Sequence, residues 1–185
     1  MRLDPVEKPS SLLGRVLTIA TRRMLGKALT PSQVVNNRVP GAWRISLAFL
    51  RLEMYGTKLP HELWQLVTVH VAMLNGCEFC QDIKRAFAVR QKLGTARFDA
   101  LVDWRSSTVF SDRERAALAF VEEATRTKVV SDATFAELRK HFDEREIVEL
   151  TLANAIENFY NLMNLPLQIE ADGLEALATG KGAAA

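Results

Sequence analysis

The 185-residue chain has two cysteines, three residues apart in MLNGCEFCQDIKRA (residues 73–86), a stretch otherwise built like a helix. Such a pair serves covalent haem attachment, zinc binding or thiol–disulfide exchange, or else does no chemistry and packs as small core residues. Haem attachment needs histidine directly after the second cysteine, and Gln81 stands there. A structural zinc site needs four ligands, and the chain offers one pair and three dispersed histidines, His61, His70 and His141. We therefore expect no metal and no other cofactor.

Thiol exchange suits the local spacing. On a helix Cys77, Cys80 and Lys84 fall at i, i+3 and i+7, on one face. An ammonium one turn beyond Cys80 favours the thiolate, as do the unsatisfied amides of a helix starting near Asn75 or Gly76. Cysteines at i and i+3 also have their α-carbons close enough to bridge. The pair is then able to cycle between dithiol and disulfide without large backbone motion. We weigh redox work above inert packing.

The elements that must position this pair are helical. Leu13, Val16, Leu17, Ala20 and Met24 recur at helical spacing within 12–25, and Ala42 to Met54 forms another apolar helix after VPG. Thr30 before Pro31 reads as a helix start. Pro60 reopens a helix through HELWQLVTVHVAML, Asn75–Gly76 forms a helix-to-helix joint, and the cysteine helix runs to about Lys92. SDRE (Ser111–Glu114) is a capping box, Ser131 or Asp132 opens the next helix, and DEREIVELTLANAIENFYNLMNL is a long amphipathic helix that Pro166 stops. The expectation is one all-α domain over 1–185 of roughly eight helices, with a loose arm at 1–9 and a disordered tail at 180–185.

Composition narrows the partners. Basic and acidic residues number 24 and 22, giving a net charge of +2 and no dedicated nucleic-acid surface; RRMLGK (Arg22–Lys27) is the one basic cluster, read as a solvated helix end. No apolar run reaches the length of a membrane span, and MRLDPVEKPSS carries charges and prolines where a signal peptide is apolar. We expect a cytoplasmic protein that binds neither nucleic acid nor membrane.

ELWQLVTVHVAMLNGCEFC resembles the carboxymuconolactone decarboxylase and alkylhydroperoxidase D (AhpD-like) superfamily, whose hallmark is N-G-C-x-x-C-x-x-x-H with a carboxylate twelve residues before the first cysteine. SDRERAALAFVEEAT, LRKHFDEREIVELTLANAIENFYNLMN and LQIEADGL resemble its longer branch, so the similarity covers roughly residues 40–175. The resemblance implies an AhpD-like fold assembled as a homo-oligomer (dimer, trimer or hexamer) and thiol-dependent reduction of small hydroperoxides. By that analogy Cys80 is the peroxidatic thiolate, Cys77 resolves its sulfenic acid as a disulfide, and an external dithiol restores the pair.

Two positions depart from the hallmark. Gln65 stands where the carboxylate is expected and Lys84 where the histidine is expected. Lysine titrates too high to pass protons as histidine does, so Lys84 assists Cys80 by charge. Glu62, one turn before Gln65, and His70, seven residues before Cys77, are the substitute relay candidates. The catalytic set is thus Cys80, Cys77 and Lys84, with Glu62, Gln65 and His70 as relay positions. Loss of the Glu–His pair also favours a non-enzymatic oligomeric redox sensor or binding protein; a third reading is a decarboxylase-type small-molecule enzyme with incidental cysteines. The stripe Asn158, Asn161 and Asn164 reads first as satisfied buried amides, with a pocket or a subunit contact as the alternative.

Overall fold

The computed structural model describes residues 1–92 and 94–180. Among them are nine α-helices and no strand: α1 (Leu12–Leu25), α2 (Ala42–Arg51), α3 (His61–Asn75), α4 (Glu78–Arg90), α5 (Ala96–Asp99), α6 (Asp112–Thr127), α7 (Asp132–Leu138), α8 (Glu144–Asn164) and α9 (Leu174–Ala178). The tail expected to be disordered lies outside the described residues from position 181 onward.

α3 is the axis of the fold. Every residue from Leu63 to Ala72 is buried, so this helix is apolar nearly all round and takes neighbours on every side. α6 and α8 pack along it, and their Leu118, Val121, Leu150 and Ala153 join Trp64, Leu66, Val67 and Val69 in the main core. Local chemistry sets where these helices begin. Ser111 and Glu114 form the capping box of α6, and Asp143 with Glu146 forms a second one on α8. α8 runs to Asn164 and passes into a 3₁₀ turn at Leu165–Leu167, where Pro166 has no N–H to continue it.

α1 and α2 differ from their sequence patterns. Leu12, Val16 and Ile19 of α1 point to solvent, and its buried residues are Gly14, Thr18 and Leu25. Gly14 is needed there, because a Cβ would meet Trp43 Nε1 at 2.8 Å. α2 stops at Arg51 and widens into a π-helical turn, Leu52–Gly56. Thr30 caps no helix; its hydroxyl donates to Asp172 at 2.6 Å, and the next turn is the π-helical segment Ser32–Asn36. Residues 1–9 carry no regular structure but are fastened down: Arg2 N–H donates to Leu167 O (2.9 Å), Val6 N–H to Gln33 O (3.1 Å) and Asn37 Nδ2 to Val6 O (2.6 Å).

A smaller core forms where the two ends of the chain meet the start of α4. Leu25, Val34, Ile169 and Leu174 pack there with Ala72, Phe79, Cys77 and Cys80. α9 is held against α4 by Asp82, which accepts from Leu174 N–H (2.8 Å) and Glu175 N–H (2.9 Å), and by Arg85, which meets Glu175 at 2.8 Å. No helix among the described residues is long and apolar enough to cross a membrane.

Candidate redox site

The α3–α4 joint places the cysteines. Gly76 adopts φ 71°, a left-handed conformation that residues with a Cβ rarely take. Its N–H donates to Met73 O (3.1 Å) and the Cys77 N–H to Ala72 O (2.9 Å), the paired bonds of a Schellman ending. Cys77 is at the same time the N-cap of α4. One residue thereby closes one helix and opens the next, and Cys80 follows in the first turn of α4. The cysteines are joined as a disulfide with α-carbons 5.3 Å apart. Both are buried, Cys77 to 1% exposure and Cys80 to 4%.

The sulfurs face α8, which contributes amide donors. Asn161 Nδ2 donates to Cys80 Sγ at 3.2 Å and Asn164 Nδ2 at 3.4 Å, whereas Cys77 Sγ receives only Asn164, at 3.8 Å. N–H groups aimed at a sulfur favour its thiolate over its thiol, and Cys80 has the closer pair. Asn161 is itself held: its Oδ1 accepts from Asn75 Nδ2 (2.7 Å) and its Nδ2 also donates to Glu157 Oε1 (2.8 Å). Asn75 continues to Asn158 (3.0 Å), Asn158 to Asn154, and Asn154 accepts from Thr125 Oγ1 at 2.7 Å. A connected polar file thus runs along the inner side of α8 and ends at the disulfide. Connected networks of this kind hold their members in one arrangement.

Glu157 has almost no exposed surface. Burial pushes its carboxyl up, against the pull of Lys84 and the Asn161 amide, and Glu53 adds to the rise. Lys84 Nζ lies 3.2 Å from Glu53 Oε1, on the π-helical turn that follows α2. Burial likewise pushes the neighbouring Tyr160 phenol up to about 12.

The remaining candidates lie apart from the sulfurs. Gln65 is buried and bonds His61 Nε2 at 2.8 Å, and Glu62 is exposed at the start of α3. His70 turns toward α6, where Nε2 stands 3.4 Å from Glu122 without hydrogen-bond geometry, leaving both ring nitrogens unpartnered. Burial lowers its pKa, against the pull of Glu122. His70 lines an open cleft of about 450 Å³ with Trp104, Arg105, Glu122 and Arg126, and neither cysteine is part of that lining. Lys84 alone of these residues shares an acidic cluster with the cysteine network. Among the described residues no group of His, Cys, Asp and Glu is arranged to hold a metal ion.

Glu157, Asn161 and Asn164 were not singled out as site residues from sequence. Their signal is present, since they recur at i, i+4 and i+7 among the buried positions of a helix that also buries Ile147, Leu150, Ala153 and Ile156. The cysteine that Asn161 and Asn164 meet stands more than eighty positions earlier in the chain.

A helical fold with a C-x-x-C pair at a helix joint defines a class, and comparison with known proteins agrees. The model of the carboxymuconolactone decarboxylase family matches residues 41–123. The chain is 33% identical over 177 residues to the uncharacterized protein YnjA of Escherichia coli strain K12, covering 94% of this chain and 96% of that one. The chain therefore belongs to the carboxymuconolactone decarboxylase family. Among solved structures, a cysteine-to-alanine variant of the debrominase Bmp8 in complex with 2,3,4-tribromopyrrole superposes with TM-score 0.82 at 16% identity, over 98% of this chain and 97% of that one. An alkylhydroperoxidase AhpD core, an uncharacterized peroxidase-related protein from Ralstonia eutropha JMP134, superposes with TM-score 0.76 at 18% identity, over 95% and 98%. These likenesses establish the AhpD-like fold.

Proposed function

We propose that the protein is a thiol-dependent oxidoreductase that reduces small hydroperoxides in the cytoplasm by cycling Cys77 and Cys80 between dithiol and disulfide. The observation that carries this reading is the pair of amide N–H groups, from Asn161 and Asn164, on Cys80 Sγ. They favour Cys80 as the thiolate nucleophile, and Cys77, already within bonding reach, as the resolving thiol. Lys84 assists by charge without touching sulfur, because Glu53 holds its ammonium. The burial of both cysteines favours small oxidants such as hydrogen peroxide or a short alkyl hydroperoxide.

An external dithiol closes the cycle. The exposed apolar residues Leu12, Val16 and Ile19 of α1 support assembly into a homo-oligomer, since patches of this kind mark association surfaces.

Turnover of hydrogen peroxide with dithiothreitol as reductant tests the function. Cys80→Ser is expected to abolish it; Cys77→Ser is expected to form a sulfenic acid at Cys80 without sustained turnover. Full activity in Cys80→Ser overturns the assignment. A disulfide that forms once and is not recycled identifies a redox sensor instead.

A further inference from the structure

The hallmark carboxylate and histidine are replaced by Gln65 and Lys84, and Gln65 bonds His61. A peroxidase cycle nevertheless moves a proton at each step. We propose that Glu157 is the proton store of the cysteine pair, a role that rests on the thiol-peroxidase reading above.

Three observations place it there. The first is shared attachment: one nitrogen, Asn161 Nδ2, donates both to Cys80 Sγ at 3.2 Å and to Glu157 Oε1 at 2.8 Å. Two acceptors on one amide nitrogen stand roughly 5 Å apart, the span of a single bridging water. The second is the poverty of its surroundings. A buried carboxylate that serves structure is surrounded by donors, and Glu157 has the Asn161 amide as its hydrogen-bond donor. The third is the set of titratable groups that face it: Lys84 from α4, Glu53 from the turn after α2, and Tyr160 from its own helix. α3 and α6 meet this length of α8 with the neutral Asn75 and Thr125. Lys84 attracts the carboxylate form while Glu53 and burial oppose it, so neither protonation state is locked. The partly exposed Lys84–Glu53 pair gives protons an edge to solvent.

The steps balance with no further co-reactant. Glu157, ionised, takes the Cys80 thiol proton. The Cys80 thiolate attacks the terminal oxygen of ROOH; the S–O bond forms as the O–O bond breaks, leaving Cys80 as sulfenic acid. The alkoxide takes the Glu157 proton and departs as ROH. Glu157 then accepts the Cys77 thiol proton, the Cys77 sulfur attacks Cys80, and the displaced hydroxide takes that proton as water. The external dithiol supplies two electrons and two protons to reopen the disulfide.

Glu157→Gln keeps an oxygen for Asn161 and removes the titrating group. Two readouts separate it from a structural role. In the Cys77→Ser background, where Cys80 is titrated by iodoacetamide alkylation against pH, Glu157→Gln is expected to lower the thiol pKa because a neighbouring negative charge is gone. In the two-cysteine protein, oxidation of the dithiol by tert-butyl hydroperoxide is expected to slow by about tenfold or more, although more thiolate is present. Alkylation needs no proton donor and is expected to retain its limiting rate. Should Glu157→Gln fail to fold, Glu157→Asp serves, with a peroxide rate that retains its dependence on a second titration. An unshifted thiol pKa, or peroxide and alkylation rates that move together, overturns the proposal. A wild-type protein inert to hydroperoxide sinks the peroxidase reading alone, because the alkylation titration still reports whether Glu157 and Cys80 share a proton.

Discussion

Glu149 and Glu157 stand eight residues apart on α8, both nearly closed off from solvent, and their surroundings treat the carboxylate in opposite ways. Around Glu149, burial works against the charge but is outweighed. Arg145 Nε donates at 2.8 Å, and the backbone N–H groups of Lys58 and Leu59 at 2.8 and 3.0 Å, so the carboxyl is held below the usual range. Those two amides belong to the segment leading into α3, and Glu149 thereby fixes where the central helix begins. Around Glu157, burial prevails against Lys84 and one amide that is shared with a cysteine sulfur, and the carboxyl is pushed up. One helix thus carries a carboxylate used as a clamp and another left free to exchange its proton. What separates them is the number of donors.

The largest expected effect tests the clamp. Glu149→Ala leaves two backbone amides without their acceptor, at a cost of about 2–3 kcal/mol. Urea unfolding should show this loss, while the peroxide rate per folded molecule stays near wild type. Glu157→Gln should change stability by less than ~1 kcal/mol near neutral pH, since an amide replaces a group that is poorly solvated when charged. A large loss there would erase the contrast between the two glutamates.

The pH dependence sharpens the comparison because the two signs differ. Glu149 has a lowered folded pKa, so its stabilisation is present above the unfolded carboxylate pKa and is lost as pH falls through the folded value. Glu157 has a raised folded pKa, so its contribution is present below the unfolded pKa and is lost as pH rises through the folded value. Relative to wild type, Glu157→Gln should therefore gain stability with rising pH, and Glu149→Gln should lose least in acid; urea midpoints across the pH range check both. The smallest effect belongs to Arg145→Ala. Its side chain is 56% exposed, and an exposed partner of this kind contributes about 0.5 kcal/mol or less.

Much of the architecture was legible because it is local. The Ser111 capping box, the Pro60 restart, the Asn75–Gly76 joint and the apolar run of α3 each announce themselves within a few residues, and the structure has each where the spacing puts it. Signals that a distant partner overrides were not legible. Thr30 looks like a cap but bonds Asp172, 142 residues later. The apolar side of α1 looks like a core face yet leaves Val16 and Met24 in solvent. The same holds at the site. The cysteine pair and its helix start could be read directly, but the groups that meet the sulfurs come from α8 and are set by how that helix packs against the joint. Lys84 and Gln65 marked what the site lacks; only the fold brings Glu157 near it.

The most direct test of the account is a single turnover. Fully reduced protein, mixed with one equivalent of tert-butyl hydroperoxide, is assayed for remaining thiols and for alcohol formed. The account predicts the loss of both thiols and one tert-butanol per chain, with Cys77 and Cys80 joined in the product. Persistent peroxide with both thiols still titratable would contradict it.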